Sequence, residues 1–110
     1  MISVCPASKA SKSITIIAPP NVPRSLSVSN VGAGRIRITW SAPSGGGTVA
    51  GYRIYRSTTN DAATATLLTT TTTRTYTDAT AAVGTRYYYW VSSYNVAGES
   101  ALTYAGNAVG

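Results

Sequence analysis

The sequence predicts an all-β protein, a seven-stranded antiparallel β-sandwich preceded by an extended N-terminal arm. Three observations carry that expectation. Short runs alternate apolar with polar residues and are rich in Thr, Tyr, Val and Ile, which suit a pleated, half-buried surface. Turn-formers separate the runs: Gly32-Ala33-Gly34, Pro43 to Gly47, Asn60-Asp61, Val83-Gly84 and Ala97-Gly98. No stretch carries a helical period. About seven short strands punctuated in this way are the signature of a sandwich.

The elements follow in order. Residues 1–19 read as the arm and residues 20–110 as the sandwich, with Pro19-Pro20 and Pro23 at the change of character. Leu26 and Val28 then alternate with serines. Ile36, Ile38 and Trp40 alternate with Arg35, Arg37 and Thr39, and Tyr52 and Ile54 with Arg53 and Tyr55. Leu67 and Leu68 open a threonine-rich run to Thr73; its β-branched residues favour a strand, and its hydroxyl coating suits a sheet edge. Tyr76 sits between Thr75 and Thr77. The last runs are Tyr87 to Asn95 and Leu102 to Val109.

Composition narrows the function. The chain has 110 residues, enough for one domain, and 44% of them are hydrophobic. Nine Lys+Arg against three Asp+Glu give a net charge of +6, a surplus that comes mainly from scarce acids. With no histidine and one cysteine, a His-based triad, a His-ligated zinc site and a disulfide framework are impossible within this chain. Met1 to Ser13 carry no charge before Lys9 and no apolar core, so they do not read as a signal peptide. Ile14 to Ala18, interrupted by Thr15, falls far short of the ~20 residues that span a bilayer. Lys9, Lys12, Ile14, Ile16 and Ile17 are the residues by which the arm would anchor to an assembly. Cys5 lacks a charged activating neighbour in sequence and reads as a spectator.

Several segments, correctly spaced, resemble a fibronectin type III domain of the bacterial and phage kind, an immunoglobulin-like sandwich. Pro23 to Val28 resembles the family's first strand, and Ile36 to Pro43 the second, with its tryptophan and following proline. Gly51 to Arg56 resembles the third. Tyr76-Thr77-Asp78, Gly84 to Val91 and Asn95 to Ser100 complete the set. Ala81 departs from the family pattern, which usually has leucine ahead of the Gly-Thr turn; Val83 or the leucines of the fourth strand are expected to compensate. The resemblance implies that Tyr87 is the tyrosine-corner residue, its hydroxyl bonded to nearby backbone.

Period-two geometry sorts the remaining side chains. Leu26, Val28, Ile36, Ile38, Trp40, Tyr52, Ile54, Tyr76, Tyr87, Tyr89 and Val91 should face inward, with Trp40 and Tyr87 structural. Arg53 and Tyr55 should face outward with Tyr88, Trp90 and Tyr94 of the neighbouring strand, forming one aromatic and cationic surface. That surface could be cross-strand stabilisation or a protein partner surface; stacking on sugar rings is a weaker option. Arg35 and Arg37 read as a solvated face of the other sheet.

Chemistry has few groups to use. Asp61, Asp78 and Glu99 are the only carboxylate side chains; Glu99 is expected at the opposite pole from the other two, and Asp78 reads as a turn cap. Gly45-Gly46-Gly47 lacks a following Lys-Ser/Thr and reads as a loop near Ala97-Gly98-Glu99. No catalytic residue, metal site or cofactor is expected, nor an enzyme. The basic residues are spread too widely for a phosphate track, so no specific nucleic acid and no membrane insertion are expected.

A structural and interaction module is therefore expected, decorating a larger assembly through its arm and binding protein partners. The resemblance implies extracellular or surface display, and a bacteriophage virion, through a capsid or tail protein, reconciles this with the missing signal peptide. The alternatives are a spacer of a secreted carbohydrate-active enzyme or adhesin, and a weak carbohydrate-binding module using Tyr88, Trp90 and Tyr94.

Overall fold

The computed structural model describes residues 18–110. The strands are β1 (Arg24–Gly32), β2 (Arg35–Ser41), β3 (Gly51–Ser57), β4 (Thr66–Thr71), β5 (Thr75–Asp78), β6 (Arg86–Asn95), β7 (Gly98–Glu99) and β8 (Thr103–Val109), with one 3₁₀ turn at Ala62–Thr64. The expected anchor residues Lys9, Lys12, Ile14, Ile16 and Ile17, and Cys5, lie outside the described residues.

Two antiparallel sheets make the sandwich. The smaller has the order β1-β2-β5. In the larger, β4-β3-β6 continues into β7 and β8, which both pair with β6. The last expected strand, Leu102 to Val109, forms as β8, and the short β7 precedes it. β7 begins at the Ala97-Gly98 turn and pairs as Tyr94↔Glu99 and Asn95↔Gly98, and the chain then leaves the ladder until Thr103. Ser100 bridges the break: its N–H donates to the Ser93 carbonyl at 2.7 Å, and its Oγ accepts the Ser93 N–H at 3.0 Å.

The strands form where β-branched and aromatic residues alternate with polar ones. Ile36, Ile38 and Trp40 of β2 face Tyr52 and Ile54 of β3 and Tyr87, Tyr89 and Val91 of β6 across a buried core. Leu26, Val28 and Tyr76 are half-buried against it, so the whole inward set lies where the alternation puts it. Trp40 meets Tyr52 edge-on with ring centroids 5.4 Å apart, a favoured aromatic geometry.

Ala81 is buried at the end of this core, as its position requires, but Val83 does not compensate for its small side chain. Val83 projects into solvent, and Leu67 is also exposed; Leu68 is the fourth-strand leucine that packs inward. Gly34, at φ +70°, explains the tightness of that end. A Cβ there would lie 2.8 Å from the Ala81 carbonyl oxygen, so the β1–β2 turn admits only glycine at close approach.

The two ends of the described chain leave from opposite poles. Ala18 accepts a hydrogen bond from Asn95 Nδ2 at 2.7 Å, the Pro19 carbonyl accepts from Gly47 N–H at 3.3 Å, and Pro20 bridges to Gly46. Gly110 instead pairs with Gly84 and Thr85, beside the start of β6. The ten residues of β6 separate these poles, about 33 Å at ~3.3 Å per residue.

Candidate functional site

The outer face of the larger sheet is built by register. β3 sets Gly51 opposite Tyr94, Arg53 opposite Ser92, Tyr55 opposite Trp90 and Ser57 opposite Tyr88. Across the other edge of β6, Trp90 pairs with Tyr104 and Tyr88 with Asn107, and Tyr94 pairs with Glu99 of β7. Strand alternation therefore brings Arg53, Tyr55, Tyr88, Trp90 and Tyr94 onto one face, as expected.

Two features of that face differ from expectation. Trp90 is only 4% exposed: it is covered by Tyr104, whose ring lies 5.6 Å away at 57°, and it stands outside the main core. It offers no free ring surface, whereas Arg53, Tyr55, Tyr88 and Tyr94 remain half-buried. The second feature is an acid. Glu99 sits in the middle of the surface, accepting from Arg53 at 3.0 Å on one oxygen and from Tyr55 Oη at 2.5 Å and Ser92 Oγ on the other.

Glu99 completes a clamp around Arg53. The guanidinium lies 4.4 Å from the centroid of the Tyr94 ring while its Nη1 bonds Glu99. Stacking of this kind contributes about 0.5–1 kcal/mol at exposed sites. The Tyr94 ring in turn lies over Gly51, where a Cβ would come within 2.6 Å of the Tyr94 hydroxyl oxygen. Partial burial opposes the charge on Glu99, but hydrogen bonds from Ser92, Tyr55 and Arg53 outweigh it and hold the carboxyl below its ordinary range. Burial, together with the bond to that carboxylate, pushes the Tyr55 phenol up. The hairpin turn carried the signal for Glu99: pairing Asn95 with Gly98 puts Glu99 beside Tyr94 and on its face.

A second cluster lies under the opposite end of the same sheet. Asp78, fully buried, accepts from Tyr89 Oη at 2.7 Å and Arg56 at 2.8 Å on one oxygen, and from the Thr80 N–H at 2.9 Å and hydroxyl at 2.6 Å on the other. Burial raises its pKa, yet these four donors outweigh burial and leave it below the ordinary value. Arg56 also lies 4.7 Å from the Tyr87 ring centroid, and Tyr87 Oη accepts the Ala82 N–H at 2.9 Å. Trp40 and Tyr87 are both buried. An open cleft of about 240 Å³ lies above, lined by Arg56, Ser57, Thr58, Thr64, Thr66 and Tyr87.

The three carboxylate side chains are thus committed to structure. Asp61 caps the 3₁₀ turn by accepting the Ala63 N–H at 3.0 Å, Asp78 closes the buried network, and Glu99 organises the outer face. Among the described residues no three His, Cys, Asp or Glu side chains cluster as metal ligands would, and no helix is long and apolar enough to cross a membrane. The Gly45-Gly46-Gly47 loop and the Ala97-Gly98 hairpin adjoin at the pole where Ala18 leaves, joined through Asn95, which also donates to the Thr48 carbonyl at 2.8 Å.

Comparison with known proteins is consistent with this architecture. The model of the fibronectin type III domain family matches residues 21–106. A crystal structure of a Fn3-like protein from Clostridium thermocellum is 32% identical with a TM-score of 0.66, over 76% of this chain and 84% of that one. FN3tt is 20% identical, with a TM-score of 0.70 over 86% and 96% of the two chains. Titin kinase with its flanking domains is 21% identical, with a TM-score of 0.71; 82% of this chain is covered but only 17% of that structure's chain. No curated protein matches the chain.

Proposed function

The chain belongs to the fibronectin type III family, whose domains are commonly non-catalytic structural or interaction modules, and on that premise we propose that it serves as a docking module in a larger surface assembly. The module is held by residues 1–19 and engages a protein partner through the outer face of the larger sheet. The observation that carries this reading is the clamp on Arg53. Stacked on Tyr94 and bonded to Glu99, the guanidinium is fixed in place on rigid strands, with Tyr55 half-exposed beside it and Tyr88 half-exposed further along the same face, opposite Ser57. Arg and Tyr dominate the energetics of protein interfaces, and side chains already ordered lose little freedom on binding.

The attachment of residues 18–20 supports the rest. Residues 18–20 are tied to the Gly45-Gly46-Gly47 loop and to Asn95, at one pole of the sandwich. A virion or other extracellular surface fits such a tethered module, with a capsid or tail protein as partner; phage head-decoration and tail proteins carry domains of this kind. The buried Trp90 weighs against stacking on sugars. The test is photo-crosslinking during assembly, with a reactive residue replacing Tyr88 or, as control, the exposed Val83. The expected result is an adduct of position 88 with one particle protein, lost when residues 1–17 are deleted. Monomeric protein with no adduct, or equal labelling from both positions, would overturn the reading.

A further inference from the structure

We propose that the outer face of the smaller sheet is a second docking surface, one that takes an extended acidic polypeptide segment. The inference concerns a face that the reading above does not use. β2 points Arg35, Arg37 and Thr39 outward by strand alternation, opposite the buried Ile36, Ile38 and Trp40. Arg37 lies between Ser29 of β1 and Thr77 of β5, and Thr39 between Ser27 and Thr75. Ser27 and Thr39 share a hydrogen bond of 3.0 Å. The result is a flat field of hydroxyls carrying two exposed guanidinium groups.

The two sheets differ in how their arginines are partnered, although Arg86, at the start of β6, bonds only the neutral Asn107. Arg53 and Arg56, on the larger sheet, are both paired with carboxylates. Arg35 and Arg37 make no ion pair among the described residues. Two more exposed arginines border the same sheet: Arg24 pairs with Ser41 at the end of β2, and the Arg74 carbonyl accepts the Trp40 N–H at 3.1 Å. No carboxylate faces this field. Asp61 caps a turn, Glu99 lies on the larger sheet, and Asp78, although part of β5, is buried with its oxygens on Arg56, Tyr89 and Thr80.

The arrangement selects the chemistry of the occupant. Arg35 and Arg37 stand two residues apart on one strand, about 6.6 Å, which is the spacing of alternate side chains on another extended chain. Guanidinium forks match carboxylates two bonds at a time, and the flanking hydroxyls can bond the same groups or the backbone. None of the outward residues named on this face is aromatic, so it has no platform on which bases would stack. An acidic strand with Asp or Glu at alternate positions satisfies both spacing and charge.

The probe is poly-L-glutamate, titrated into the full chain at low ionic strength and followed by fluorescence anisotropy. Saturable binding is expected, weakened about tenfold in Arg35→Gln/Arg37→Gln, with Arg37→Gln alone losing clearly more than the charge-matched Arg86→Gln on the larger sheet, which should lose no more than about twofold. Raising salt to about 1 M, where the Debye length falls to about 3 Å, should abolish it. The Arg35→Lys/Arg37→Lys variant keeps the charge and should show an intermediate loss, because the fork is gone. Amide shifts in the unmodified protein should move on β1, β2 and β5. No binding, equal losses in Arg37→Gln and Arg86→Gln, or shifts centred on β3 and β6 would overturn the proposal. Tighter capture of single-stranded DNA or a sulfated polysaccharide by the same arginines would overturn the polypeptide assignment.

Discussion

Asp78 shows how much a single side chain carries in this chain without a disulfide framework. Its carboxylate holds Arg56, Tyr89 and Thr80 together with no exposure to solvent, and losing one member of such a pair leaves the others with unmet partners. Asp78→Asn is expected to cost about 3 kcal/mol at neutral pH, measured by urea unfolding. Because the folded-state pKa lies below the ordinary 3.8, this contribution is complete above that pH and is lost as pH falls through the folded value. The gap between parent and variant should therefore narrow below about pH 3.8; a gap that stays constant into strong acid would remove the charge from the explanation. Gly51 matters in the opposite sense, by what it lacks. Gly51→Ala would drive a methyl group into the Tyr94 ring, costing about 1–3 kcal/mol and freeing Arg53 from its stack. Thermal unfolding and the ring resonances of Tyr94 report the two effects separately.

At the level of strands, alternation is legible where one face is buried and the register is regular. β2 and β3 disclose Ile36, Ile38, Trp40, Tyr52 and Ile54 directly, since each polar neighbour points the other way. Legibility fails where a register shift or a turn decides. The burial of Trp90 depends on Tyr104, which reaches it across a ladder that shifts between Tyr89 and Trp90. Alternation assigns Trp90 to a face, but nothing in a period of two says what will cover it. Glu99 was recoverable from its hairpin, yet its partners Arg53, Tyr55 and Ser92 come from two other strands. The threonine tract proved an edge: β4 pairs only with β3, and Leu67 stands exposed on it. Thr66–Thr71 carries no charge and no proline, the composition that invites pairing with other chains. Leu67→Lys should leave stability within about 0.5 kcal/mol while slowing aggregation on heating, followed by light scattering. Unchanged aggregation would place the hazard on another edge.

For the molecule as a whole, the fold followed from pattern because the sandwich needs only alternating residues and turns, whereas the faces depend on charge placement in three dimensions. Counting nine basic residues reveals the surplus but hides that the ion pairs of Arg53 and Arg56 both lie on the larger sheet, while Arg35 and Arg37 of the smaller sheet have none among the described residues. The separation of Ala18 from Gly110 by the full length of β6 has a mechanical consequence. Tension applied between those two residues runs along the strands, so the ladders of β1 with β2 and of β6 with β8 are loaded in shear, many bonds at once. Drawn instead between Ala18 and a cysteine placed at Val96, beside the same exit, the force would peel bonds open singly. Single-molecule stretching should therefore give a clearly higher rupture force along the first axis than along the second, making the module a stiff link along its strands.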